Sequence, residues 1–174
     1  SNKSDMDRLE DFYLKYTYKK FVVIFGKQGI QTPFVNPQDG RMRPTGEQGI
    51  WAILNPGTKW KLEGGWLTKI SPRGTVRWFD IDESLGVYPS GINIYGGKSN
   101  YKGNLESSGI GILGTQYKMR EGLTMQIWEQ YTDRLFNTLM IQADGEWGKN
   151  KNRKIIGGVQ YTWQRALHNG GNDD

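Results

Sequence analysis

The stretch "LTMQIWEQYTDRLFNTLMIQAD", residues 123–144, limits the fold more than any other part of the chain. Its apolar residues recur every second position, pause at Thr132-Asp133-Arg134, and then recur again. Period two is the repeat of an extended strand, and two such runs across a short polar break read as a hairpin. Leu123, Met125, Ile127 and Tyr131 share one face, interrupted by Glu129. Thr124, Gln126, Trp128, Gln130 and Thr132 share the other. That second face is polar, carries no charge and holds a tryptophan. A soluble antiparallel sheet turns one face to a dry core and the other to water, where charge is common.

The same alternation recurs along the chain. In "FYLKYTYKKFVVIFGKQ", Phe12, Leu14, Tyr16 and Tyr18 oppose Tyr13, Lys15, Thr17 and Lys19, with a turn at Lys19-Lys20. "GIWAILNP" turns at Asn55-Pro56-Gly57-Thr58 into "KWKLEGGWLTKI". There Trp60, Leu62, Trp66 and Ile70 share a face with Gly64 and Thr68, while Lys59, Lys61, Glu63, Gly65 and Lys69 share the other and Leu67 is the exception. "SGIGILGTQYKM", the 123–144 hairpin and "RKIIGGVQYTWQRAL" complete about eight strands joined in order, an all-β antiparallel meander. The 22 aromatic residues (7 Trp, 9 Tyr, 6 Phe) and 24 glycines agree with strands and turns, and so many aromatics argue against disorder. One domain, residues 9–167, is expected, between a flexible 1–8 and a disordered 168–174, with long loops at 31–48 and 71–106. Loops of that length in a compact domain usually serve function.

Several classes drop out. No run approaches the ~20 apolar residues of a transmembrane helix, a test blind to β-barrels, whose strands need only about ten alternating residues. The absence of cysteine removes disulfides and thiolate metal sites. The one histidine, His168, lies in the tail "LHNGGNDD", so a Ser-His-Asp triad has no base. "SNKSD" has no apolar signal-peptide core. The net charge of +5 (23 − 18) suits anionic partners in general, and no RNA-binding signature accompanies it, so nucleic acid is not expected.

Three local motifs invite chemistry. "GIGILG", Gly109 to Gly114, matches a dinucleotide fingerprint, but strand-like sequence follows where a helix is required, so a close-packed glycine strand is the better reading. "DIDES" holds Asp80, Asp82 and Glu83 without the spacing of a calcium loop and reads as an acidic solvated loop. "DGRMRP" holds Asp39, Arg41 and Arg43, whose guanidinium forks suit a carboxylate or phosphate. No catalytic residue, metal site or cofactor is expected.

The apolar faces of these arms are tall, aromatic-ended and repeated, and the opposite faces favour Gln, Thr, Lys and Gly, as in Gln160, Thr162 and Gln164. A lipid-embedded barrel shows that inverted pattern, with aromatic girdles such as Tyr16, Tyr18, Trp60, Trp66 and Trp163 would supply. Residue chemistry alone favours a soluble barrel or sandwich that binds a ligand or carbohydrate through tryptophans such as Trp66 and Trp78; a glycosidase using Asp80 or Glu83 is a third reading.

A family resemblance reverses that order. "LEDFYLKYTYKKFVVIFGKQGIQTPFVNPQDGRMRPTGEQG" resembles the OprD-type outer-membrane porins in its paired strands and following Asp/Arg/Pro loop, and "WLTKISPRGTVRWFDI" resembles a later segment of theirs. The similarity spans roughly residues 9–90 and thins to a shared meander beyond. It implies a transmembrane β-barrel, or part of one, in the outer membrane of a Gram-negative bacterium, passing small solutes passively, often ones bearing carboxylates. On that resemblance Asp39, Arg41, Arg43 and Arg73 are the candidate solute contacts, Arg41 first, while Lys15, Lys61 and Glu63 project into the lumen. Membrane lipid and small solutes are then the partners. A water-filled porin needs about 16–18 strands and this chain supplies about eight, so either it closes as a small barrel filled by its own side chains or, the favoured reading, it is a segment whose edges pair with the remaining strands of a larger barrel or with further copies in a homo-oligomer.

Overall fold

The computed structural model describes residues 9–37, 44–87, 92, 95–99, 101–150 and 153–168. The strands are β1 (Phe12–Tyr18), β2 (Phe21–Gln28), β3 (Gly46–Leu54), β4 (Trp60–Ser71), β5 (Phe79–Asp80), β6 (Ile110–Arg120), β7 (Leu123–Thr132), β8 (Phe136–Asn150) and β9 (Arg153–Ala166), with a single-turn helix α1 (Ile81–Ser84) after β5. They form one antiparallel sheet in the order β1-β2-β3-β4-β6-β7-β8-β9, with β5 flanking the end of β4. It is an open meander: β1 and β9 each have one neighbour.

The two ends of the sheet differ. One end is closed by tight connections at 19–20, 55–59 and 121–122; the other carries the long segments 29–45 and 72–109 and the short turn 133–135. Lys19 and Arg134 take positive φ (51° and 62°) inside their turns, the left-handed geometry of tight hairpins. The loop expected over 31–48 gives way to β3 at Gly46, and the irregular 71–106 stretch contains β5 and α1.

Register assigns every side chain to a face, because residues directly opposite across two strands share one. Leu14, Phe25, Ile50 and Trp66 line up on the outer face, as do Val23, Ala52, Gly64 and Leu113. Lys15, Ile24, Trp51, Gly65, Ile112, Gln130, Thr138 and Gln164 line up on the inner face. One expected assignment fails in β4. The pairing skips Thr68 between Gln48/Lys69 and Gly49/Leu67, a β-bulge. One extra residue inverts the alternation beyond it, so Ile70 joins Leu67 on the inner face and Lys69 turns outward. Leu67 keeps its place on the inner face, as expected, and is fully buried there.

Burial distinguishes the faces. The outer face is apolar and bare, with Leu14 75%, Phe25 63%, Leu113 65% and Val159 69% exposed. The buried residues lie on the other side, where Ile30 and Ile81 pack against Trp51, Leu67, Ile110, Ile112, Trp128 and Met140, joined by Phe34 and Val35. Hydrophobic surface left uncovered across several strands is costly in water and free in hydrocarbon.

Candidate functional site

The inner face is a polar wall with an apolar patch at its centre. Toward the tight-turn end, Lys61, Gln116, Gln126, Gln142 and Gln160 stand opposite one another on five successive strands. Three of the four amides are held along their own strands: Gln126 Oε1 accepts the Trp128 indole N–H (2.9 Å), Gln142 donates to Asp144 (2.9 Å) and Gln160 to Thr162 (3.2 Å). Toward the loop end Gln130 donates to Thr132 (3.2 Å), and Thr138 donates to Gln164 across the β8–β9 pair (2.8 Å). A wall with this many satisfied uncharged dipoles is wettable without fixing strong charge.

The patch explains the tryptophan on the polar face. Trp128 is 1% exposed and lies over Gly114, directly opposite on β6. A Cβ at Gly114 would stand 2.6 Å from Trp128 Cδ2 and nearer still to Cε3 and Cζ3. Trp51 uses Gly65 of β4 in the same way, its Cε3 being 2.8 Å from where a Cβ would be. Gly111 backs on Trp66 at 3.2 Å. The "GIGILG" glycines are seats for indole rings, with β-strand on both sides and no phosphate cradle.

On this patch the loop after β2 comes to rest. Its backbone is tied by Thr32, whose N–H donates to the Val35 carbonyl (2.7 Å) and whose Oγ accepts the N–H groups of Phe34 (3.2 Å) and Val35 (2.9 Å). Its entry is fixed by Glu47, a fully buried carboxylate of β3 whose Oε2 accepts the Ile30 N–H at 2.9 Å. Ile81 of α1 adds the second loop to the same patch. Segment 72–109 is tied at its far end as well: Asp133 Oδ2 accepts the Ser108 hydroxyl (2.8 Å) and N–H (3.2 Å), which lowers the Asp133 carboxyl below the ordinary aspartate range.

The sequence-predicted site residues fall in three groups. Lys15, Lys61 and Glu63 are on the inner wall, Lys15 exposed and Lys61 paired with the buried Glu63 at 2.5 Å. Arg73 lies half-buried in the turn after β4, away from them along the chain. Asp39, Arg41 and Arg43 lie outside the described residues. The sequence reading missed Glu47, Trp51 and Met140, and Lys118 on the inner row with Thr124 and Asp144. Ile30, Phe34 and Val35 were the available signal: three apolar side chains within an otherwise polar, proline-rich loop. Among the described residues no cluster of acidic or histidine side chains could hold a metal, and no helix is long and apolar enough to cross a membrane.

An antiparallel sheet with a bare apolar outer face, a glutamine-rich inner face and a loop folded onto that inner face is the wall of a transmembrane β-barrel. The profile of the outer membrane porin, OprD family, matches residues 5–170, and the chain belongs to that family. Its members are channels of the bacterial outer membrane. The fold agrees with Pseudomonas aeruginosa OccD3 (TM-score 0.78, 15% identity, covering 94% of this chain and 36% of that one). It agrees also with the outer membrane protein opdK of the same organism (0.74, 13%, 91% and 38%) and Acinetobacter baumannii OccAB2 (0.73, 18%, 91% and 37%). The chain thus spans less than two-fifths of the length of these barrels. No match is found among curated proteins.

Proposed function

We propose that this wall forms part of a pore that passes small solutes passively and prefers those bearing a carboxylate. The observation that carries the reading is an imbalance of available charge. Two of the inner-wall carboxylates are matched by lysines, Glu63 by Lys61 and Glu146 by Lys154, while Glu47 is fully buried and accepts the Ile30 N–H and Asp144 accepts from Gln142. Lys15 and Lys118 are exposed and, among the described residues, pair with no carboxylate. Lys15 and Lys118 against the one lysine-free accessible carboxylate among the described inner-wall residues, Asp144, leave the accessible field cationic, and charge lining a confined channel concentrates the opposite sign. Segment 29–37 and α1 narrow the lumen where they rest on the Trp51–Trp128 patch, bringing a solute close to the wall. Arg41, Arg43 and Asp39, following directly on that segment, together with Arg73, are the proposed orienting contacts, an arginine fork taking the carboxylate and Asp39 steadying the fork. Lys61 and Glu63 shape the field beside them. A structure of Pseudomonas aeruginosa OpdK holds vanillate, an aromatic carboxylate, which is in keeping with this class of solute.

The test is ion selectivity in planar bilayers. The complete barrel that contains this wall should show a reversal potential favouring anions under a salt gradient, and Lys15→Glu with Lys118→Glu should move it toward cations. A reversal potential that both substitutions leave in place would remove the basis for carboxylate preference.

A further inference from the structure

The outer wall is not uniformly convex. Between β2, β3 and β4 near the loop end lies a hollow of about 550 Å³, walled by Phe12, Phe25, Ile50 and Trp66 and edged by Lys27 and Gln48. Toward the tight turns a second hollow, about 210 Å³, lies among Phe21, Leu54, Leu62 and Leu113, over a floor of Ala52 and Gly64. Register places Ile50 opposite Trp66, Ala52 opposite Gly64 and Leu54 opposite Leu62 on successive outward rows. Register thus sets the two hollows end to end along β3 and β4, and we read them as one groove. From Gln48 to Leu54 it extends about 20 Å at 3.3 Å per residue, somewhat more than one leaflet's share of a ~30 Å hydrocarbon core. Its floor drops at Ala52 and Gly64, where neither residue reaches beyond Cβ, while Phe21, Leu54, Leu62 and Leu113 stand around it.

Its loop-end mouth is charged. Lys27, Gln48 and Lys69 form one outward cross-strand row. The bulge at Thr68 is what turns Lys69 outward, and the Thr68 hydroxyl donates to the Gln48 carbonyl at 3.3 Å. Lys69 is engaged by Asp80 at 2.6 Å. Lys27 lies over the Trp78 ring at 4.7 Å and, among the described residues, pairs with no carboxylate. An ammonium beside an indole at the upper edge of an apolar band is placed at the depth of lipid headgroups.

We propose that this groove is a lipid-binding seat. One acyl chain lies along the Ile50–Ala52–Leu54 track, and an anionic phosphate headgroup sits at Lys27, with the Gln48 amide as a further donor. The seat rests on the barrel-wall reading of the outer face but not on any reading of the lumen, so its failure leaves the solute preference standing.

The experiment is native mass spectrometry of the protein released from micelles containing equal amounts of phosphatidylglycerol and phosphatidylcholine. Phosphatidylglycerol should be retained in preference. Lys27→Gln should reduce that preference about fivefold, the equivalent of the ~1 kcal/mol a lysine contributes at an acidic lipid surface. Ala52→Leu, which fills the floor, should reduce retention of both lipids, with the sheet signal in circular dichroism unchanged. Equal retention of the two lipids by the unaltered protein overturns the headgroup assignment, whether or not the variants fold. Unchanged retention by Ala52→Leu overturns the groove.

Discussion

Replacing Gly114 by alanine tests the packing of the inner wall where it is tightest. The added Cβ would lie 2.6 Å from Trp128 Cδ2, with two more ring carbons nearer. Carbon atoms in contact settle at about 3.5–4.0 Å, so the indole must move by about 1 Å or more. It has little room, because the ring is 1% exposed and its N–H is committed to Gln126 Oε1. Overpacking of this kind costs about 1–3 kcal/mol. Losing the indole hydrogen bond as the ring turns adds about 0.5–1.5 kcal/mol. A destabilisation of about 2–4 kcal/mol is expected in urea unfolding of the lipid-reconstituted protein followed by tryptophan emission. Gly57→Ala is the control: nothing lies within 4 Å of its Cβ, and a surface change of that kind stays within about 0.5 kcal/mol. A double-mutant cycle with Trp128→Leu isolates the contact, since Gly114→Ala should cost at least about 1 kcal/mol less once the ring is gone. A loss below about 0.5 kcal/mol, or the same loss in both backgrounds, would refute the glycine-seat account of "GIGILG".

Glu47→Ala should leave the Ile30 N–H buried without an acceptor, at about 1–3 kcal/mol. Hydrogen exchange at Ile30 should accelerate and the pore should open wider in single-channel records, whereas unchanged exchange would mean the carboxylate does not hold the loop. Asp133 has its carboxyl lowered by the two Ser108 bonds, by the Tyr131 hydroxyl and by Arg134. Its contribution is present above the unfolded aspartate value near ~3.9 and is lost as pH falls through the lower folded value. Exchange at Ser108 should rise on acidification below about pH 4 and lose that pH dependence in Asp133→Asn. Lys61→Gln leaves Glu63 buried beside an uncharged neighbour and should destabilise the wall more than the pair Lys61→Gln with Glu63→Gln; equal losses in urea unfolding would show the ion pair to be incidental.

The strands were legible because period two survives any environment. Strand pairing forces alternate residues to opposite faces whether the dry side meets protein or lipid. For the same reason the 123–144 stretch could not reveal its own solvent: Leu123, Met125 and Ile127 would be equally apolar in either. Two things stayed hidden for different physical reasons. The bulge at Thr68 changes no residue type; it changes only which carbonyl meets which amide, so in "WLTKI" its one trace is Leu67, out of step with the alternation. The loop contact is long-range, since Ile30 and Ile81 meet Trp128 and Met140 from far along the chain, and no local window contains both partners.

Trp128 joins these levels. On a polar strand face an indole is anomalous locally, and both a soluble fold and a pore wall could house it. What decides between them is what stands over the ring. In a soluble sandwich a second sheet would cover the whole apolar side, and Leu14, Phe25, Leu113 and Val159 would be buried with it. Among the described residues the cover is segment 29–37 and α1, resting on one patch of the opposite face, while those four side chains stay bare. The inner apolar patch is thus a docking pad for loops on a wall that is otherwise wet. The outer apolar band needs a solvent of its own, and for a wall built of paired strands hydrocarbon is the solvent that removes its cost.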